Sequence, residues 1–327
     1  MLSYLTRRVI YGALVLLGVN LATFFLFFTV NTPDDMARLN IGGKRVTPEL
    51  ISKWKIERGY DKPLYWNDKK EGSEKFTETI FWDRSVSLFS LNFGRADGES
   101  AGNIGHEVST RMWVSMQLAL PLFLLQVIAS TSFALLLVMF RHTKWDLWGV
   151  VTCVFMLSIS SLFYIIVGQF LFSRVLRLAP ISGYAPGLDV VKFLVLPIGL
   201  SLLARLGAEA RLYRAMFLEE IGRDYVRTAR AKGLAETVVL YKHVLRNALI
   251  PIITSAGAYL PYVFMGSLVF ESFFGIPGLG AYVIEAITKQ DFAIVRTMVF
   301  VGSLLYIATY VLIDILYTWA DPRVRLA

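Results

Sequence analysis

The chain is poor in the residues that most chemistry needs. It has a single cysteine, Cys153, so no internal disulfide is possible. Its three histidines, His106, His142 and His243, are too scattered to complete a structural zinc site with that one thiol. Charged residues make up only 18% of the chain, against roughly a quarter in soluble domains, which argues against a two-domain soluble enzyme and against a disordered chain. A phosphate-binding G-x-x-x-x-G-K-[ST] loop is missing as well. The nearest string, Gly42, Gly43, Lys44 and Arg45, lacks the hydroxyl that would follow the lysine. No catalytic set of side chains stands out, and the chain is not expected to bind ATP, a cofactor or a metal by itself.

What it has is apolar length: 55% of residues are hydrophobic. Crossing a bilayer as a helix takes roughly 20 mostly apolar residues. Six runs approach or exceed that length, over residues 9–30, 113–140, 147–172, 190–210, 248–270 and 294–319. The fourth is the weakest because Arg205 and Glu209 sit near its end. A hydrocarbon core cannot satisfy loose backbone groups, so these runs are expected to be helices. None alternates as barrel strands would. The first run follows Arg7 and Arg8, as a secretory signal might, but it is longer than a signal's apolar region and no small-x-small cleavage site follows, so an uncleaved span is expected.

The net charge of +8 is explained by where the basic residues fall. With the N-terminus in the cytoplasm, the inner segments carry Arg7, Arg8, Arg141, Lys144, Arg205, Arg211, Arg214, Arg223, Arg227, Arg230, Lys232, Lys242, Arg246, Arg323 and Arg325. The two short outer loops hold only Arg174, Arg177, Lys192, Lys289 and Arg296. This is a positive-inside bias, with both termini inside. Residues 31–112 carry thirteen basic and thirteen acidic residues, and so long a neutral segment can sit outside. Thr47 and Pro48 start a helix there that runs to Arg58. The aromatics Trp54, Tyr60, Tyr65, Trp66, Phe76, Phe81 and Trp82 suggest a small packed unit. The loop 173–189 is expected to be irregular, and a short amphipathic helix is expected at 279–288.

The most specialised segment is the basic inner connection at about 211–247. Asp224 favours a helix start, Val226, Ala229 and Ala231 offer small apolar contacts, and Gly233 permits a left-handed cap before a second helical run from Ala235. Such an elbow fits a groove in another protein; a plain orientation-holding loop is the alternative that charge alone would favour.

The string Asp224, Tyr225, Val226, Arg227, Thr228, Ala229, Arg230, Ala231, Lys232, Gly233 and Leu234, followed by residues 242–251, strongly resembles the EAA loop of ABC importer permeases, in the form found in the dipeptide/oligopeptide/nickel branch. The likeness extends along most of the chain: residues 1–8, 91–94, 178–183, 197–214, 274–280 and the ending at 314–323. In the general motif the Glu position falls on Arg227, the two Ala positions on Thr228 and Ala229, and the Gly position on Gly233. The proline of the later part is displaced to Pro251. The resemblance implies an all-α polytopic membrane protein with six transmembrane helices and the type I importer architecture. Residues 1–30 would be the first span, 31–112 an inserted extracytoplasmic domain, and 113–327 the five-span permease core. It further implies a bacterial inner-membrane location, a second homologous permease as heterodimer partner, two ATPase subunits that bind the ATP and Mg, and an extracytoplasmic substrate-binding protein. The elbow would be the coupling helix, with Arg223, Arg227, Arg230 and Lys232 pairing with acidic groups of the ATPase.

Polar groups within the runs are candidates for the translocation path: Gln126, Ser160, Ser161, Gln169, Thr254 and Ser255, and less specifically Gln117, Ser130 and Ser158. For each, interhelical packing is the plainer role. Asp314 reads as the only acid deep in a span, with a basic elbow residue as its expected partner, and Arg205 with Glu209 reads as a local helix pair. Peptides are the expected solute. Nickel chelates or another small solute remain alternatives, as does a self-contained secondary transporter, which would need intramembrane charge relays or broken helices near the midplane.

Overall fold

The computed structural model describes residues 2–42, 46–98 and 102–320. Gly43, Lys44 and Arg45 of the near-phosphate-loop string, Arg323 of the terminal match and Arg325 of the inner basic set lie outside them. The regular structure of the described residues is helical, joined by turns and loops, with one isolated bridge between Arg95 and Asn103. They fall into two compact units, residues up to Trp113 with Leu279–Val311, and Val114–Gly278 with the end of the last helix.

The first unit begins with α1 (Leu2–Val30), one of four helices long and apolar enough to cross a membrane. Two short helices follow, α2 (Pro33–Ile41) and α3 (Pro48–Arg58). Each starts as its sequence dictates. Thr32 and Asp35 form a reciprocal capping box, and Thr47 accepts from the Leu50 N–H ahead of Pro48. Gly59 closes α3 in the left-handed region at φ 72°. After α4 (Glu74–Thr77) and α5 (Ile80–Arg84), α6 (Ile104–Met139) begins in this unit. So do α15 (Leu279–Thr288), where the short helix was expected, and α16 (Phe292–Ala320).

The predicted aromatic mini-core exists. Trp54 stacks on Tyr60 at 5.4 Å, and both join Phe24, Phe28, Met36 and Ile80 in one buried cluster. Tyr65 and Trp66 of the expected set stay largely exposed. Beside this core lies a charged knot. Tyr60 donates to both oxygens of buried Asp97 (3.0 and 2.9 Å), the Ala293 N–H donates to it at 3.1 Å, and Arg84 approaches at 3.7 Å. Burial pushes the Asp97 carboxyl above its ordinary range, with Arg84 opposing. Arg296, counted from sequence as a loop charge, is instead buried in the first turns of α16.

The second unit holds the rest of α6 and then α7 (Lys144–Ser158), α8 (Ser161–Gly168), α9 (Val190–Ile221), α10 (Asp224–Ala231), α11 (Glu236–Val238), α12 (Leu245–Gly257), α13 (Leu260–Met265) and α14 (Leu268–Phe274). Two expected spans are not continuous. The third is bent by 89° between Ser158 and Ser161, and the fifth by 42° between Gly257 and Leu260. The first break has a local cause: Ser160 leaves the helical region and its hydroxyl accepts from the Phe163 N–H, capping a new helix. In the fifth, Pro261 opens α13 and Gly266 closes it at φ 75°.

The fourth span also differs from expectation. It does not end near Ala210 but continues as α9 to Ile221, because residues 211–221 carry on with strong helix formers and no breaker. Gly207 lets α9 approach α7 closely; a Cβ there would run into the Cys153 carbonyl oxygen. Arg214 locks the same pair with two bonds to Asp146, 3.0 and 2.8 Å.

Candidate coupling elbow and translocation cavity

The elbow is built as the sequence suggests. Asp224 opens α10, where a carboxylate favours the helix dipole. At the other end Gly233 sits at φ 78°, its N–H bonded to the Arg230 carbonyl at 2.9 Å, while the Leu234 N–H reaches the Ala229 carbonyl at 3.4 Å. These are the two bonds of a Schellman turn. Arg230 then grips Glu236 of α11 with two bonds, 3.0 and 2.8 Å, and Arg141 adds a third at 3.2 Å. The turn is thus stapled across both of its arms.

The faces of α10 divide sharply. Val226 and Ala229 are buried in one apolar cluster with Ala134 of α6, Tyr213 and Phe217 of α9, and Leu240, Val244 and Ala248 further along. Ala229, expected to offer its small side to a partner, is 5% exposed and packs within its own chain. Arg227, Thr228, Ala231, Lys232, Gly233 and Leu234 remain exposed. Arg223 and Arg227 pair locally with Glu219 (3.0 Å) and Asp224 (3.4 Å). Tyr225 donates to Glu220 at 2.6 Å, and burial together with that carboxylate raises its phenol.

Deeper in the same unit, α6, α9 and the broken fifth span enclose a cavity of about 350 Å³. Its polar wall is Gln126, Ser201, Arg205, Glu209, Tyr213, Tyr259, Tyr262 and Ser267. Gln126 donates to Ser130 at 3.0 Å, and Ser130 donates to Glu209 at 3.2 Å. Arg205 stacks on the Tyr259 ring at 4.4 Å and reaches Glu209 only at 3.8 Å. The break at Gly266 and Ser267 forms part of the lining, and broken backbone at membrane depth is tolerated where it is buried in protein or faces a water-filled space. Tyr213 belongs both to this wall and to the apolar cluster that holds the elbow.

Of the expected path residues, the cavity takes only Gln126. Ser160 caps α8 and Ser161 begins it, both exposed. Gln169 donates to the carbonyls of Ile181 (3.0 Å) and Phe273 (3.2 Å), tying a loop. Thr254 bonds back to Ile250, and Ser255 is half-buried on α12. Gln117 accepts from Tyr184 at 2.9 Å. Arg205 and Glu209 were expected only as a local pair. With α9 running on to Ile221, Glu209 lies in the helix interior and is 6% exposed, so Asp314 is not the only acid deep in a span. The signal available in the sequence was its charge within an apolar run.

A broken-helix bundle, a polar cavity and a stapled basic elbow together point to a membrane transport component. The chain belongs to the family described as binding-protein-dependent transport system inner membrane component, whose model matches residues 109–326; the family's N-terminal model matches residues 1–92. It is therefore an ABC importer permease, a multi-pass inner-membrane component of a transport system with other subunits. It is 33% identical to a protein of Brucella abortus named for a peptide transport system permease, with 99% of each chain covered. It is 29% identical to the di/tripeptide transport system permease protein DppB of Pseudomonas aeruginosa and to the glutathione transport system permease protein GsiC of Shigella flexneri, again over 99% of each chain.

Proposed function

We propose that this chain is one of two homologous permease subunits of an ATP-driven importer that passes di- and oligopeptides inward from an extracytoplasmic binding protein. With each bent pair taken as one crossing, the chain would have six spans; in this reading the arrangement is type I and both termini are cytoplasmic. Residues 31–112 are then an extracytoplasmic insertion between the first two spans, and residues 113–327 the permease core. The observation that carries the reading is the elbow: an exposed basic turn whose inner face is buried against α9. Two ATPase subunits, holding ATP and Mg, would grip the exposed residues from Arg227 to Leu234. Their closure would rock the helices around the cavity between inward- and outward-open states. This chain binds no cofactor of its own in this scheme.

The relatives named for peptide and glutathione transport favour a peptide over a nickel chelate. The test is purification of the tagged chain from native membranes, followed by reconstitution with whatever accompanies it. A second permease and ATPase subunits are expected, together with import of labelled dipeptides that needs ATP and the binding protein. Transport by this chain alone, or a functional homodimer without ATPases, would overturn the assignment.

A further inference from the structure

Two features of the cavity are not explained by packing. Gln126 is 4% exposed, yet its carbonyl oxygen has no hydrogen-bond partner among the described residues. A buried acceptor left alone is costly unless something outside the fold supplies a donor. The second feature is the looseness of the Arg205–Glu209 pair. Charge-assisted bonds of this kind close to about 2.7–2.9 Å. Here the nearest approach is 3.8 Å, although Arg214, further along α9, reaches Asp146 of α7 at 2.8 Å. Arg205 makes no hydrogen bond among the described residues and rests on the face of Tyr259 instead. The wall therefore presents a buried carboxylate to the space, with an unpartnered amide oxygen enclosed beside it and a cation drawn aside onto a ring.

Those are the partners of a hydrogen-bond donor that carries positive charge. We propose that Glu209 and Gln126 form a station for the α-ammonium group of a peptide in transit, which takes over from Arg205 as the partner of Glu209. This assignment rests on the peptide reading above. The cavity's volume lies within the roughly 300–1,000 Å³ of sites that hold small ligands. Arg205 has the freedom to swing toward the peptide's far end because the ring, not a hydrogen bond, holds it.

The experiment uses the complete transporter in proteoliposomes and follows uptake of a labelled dipeptide. Three forms are compared: wild type, Glu209→Gln, and Arg205→Gln with Glu209→Gln. The single variant keeps the shape and the bond from Ser130 while removing the charge. If the carboxylate holds the substrate, uptake falls at least tenfold in the single variant and stays down in the double. If the pair is only an internal ion pair, removing both charges restores uptake, because no lone charge is left buried. Restoration in the double variant, or undiminished uptake in the single, overturns the station. Should either variant fail to assemble with its partners, Gln126→Leu replaces it; a KM at least fivefold higher is expected, and an unchanged KM overturns the station. A wild-type transporter that imports no peptide overturns the peptide reading, and the ligand named here with it. Wild-type import with either overturning result above removes the station alone.

Discussion

Replacing Gly233 measures whether the elbow must be a rigid turn. The residue lies at φ 78°, and a Cβ built on it meets nothing within 4 Å. The cost of Gly233→Ala is therefore that of the left-handed backbone alone, about 1–2 kcal/mol. That is a factor of roughly 5–30 in the population of the intact Schellman turn. Asn tolerates this region better, so Gly233→Asn costs less. Proline cannot adopt a positive φ and also removes the N–H that reaches Arg230, a bond worth a further ~0.5–1.5 kcal/mol. ATP-driven uptake in proteoliposomes should thus decline in the order glycine, asparagine, alanine, proline, while the chain still inserts and copurifies. ATP hydrolysis measured alongside separates lost coupling from lost assembly. Wild-type uptake by the proline variant would refute the reasoning. So would an equal loss in all three, because a graded backbone cost cannot give a uniform effect.

Gly207→Ala drives a methyl group into the Cys153 backbone and should cost about 1–3 kcal/mol, seen as a lower melting temperature of the solubilised chain; Gly199→Ala, inside the same helix with open space at its Cβ, is the matched control and should melt at or above wild type. Arg214→Ala strips the two-bond partner from largely buried Asp146, with an expected loss near the lower end of the roughly 3–5 kcal/mol for a broken buried pair; Arg214→Met with Asp146→Leu should recover most of it in the same melting assay. Asp97 makes the pH prediction. Its folded-state pKa is raised, so the folded chain holds the proton more tightly than the unfolded one. Its stabilising contribution is then full below about pH 4 and is lost as pH rises through the folded value. Thermal midpoints of wild type minus Asp97→Asn should be largest near that acid limit and shrink toward neutrality; a pH-independent difference would refute the shift.

The apolar lengths of the spans were legible because the bilayer imposes a length that hydropathy records directly. Local chemistry was legible for the same kind of reason. Thr47 with Pro48, Gly59 and Gly233 each act on their own neighbours, and each ends or begins a helix where expected. The breaks were harder. Ser158, Ser160 and Ser161 looked like polar points on a continuous helix, but a serine that bonds the backbone two or three residues on can also start a new one. The cavity was least legible. Gln126 and Glu209 come from two helices and Tyr259 from the turn where the fifth span bends, and nothing in the order of residues says that their side chains converge. The burial of Ala229 was hidden similarly: a small residue suits a partner's groove and its own core equally well.

Tyr213 is where the elbow and the cavity meet. Its ring lies in the apolar cluster that buries Val226 and Ala229, and it also forms part of the cavity wall. Glu209 stands one turn away on the same helix, so side chains on one face of α9 address both places. A push on α10 has no soft layer to absorb it, because close-packed interiors yield by shifting whole elements rather than by compressing. The Arg214–Asp146 bonds carry the same displacement from α9 into α7. On the proposed function, movement at the elbow would alter the spacing of Glu209 from the α6 residues Gln126 and Ser130, and so the shape of the cavity. Elbow and cavity thus share neighbouring turns of one helix, and on the proposed function that is the route by which a push from the ATPase subunits would reach the substrate path.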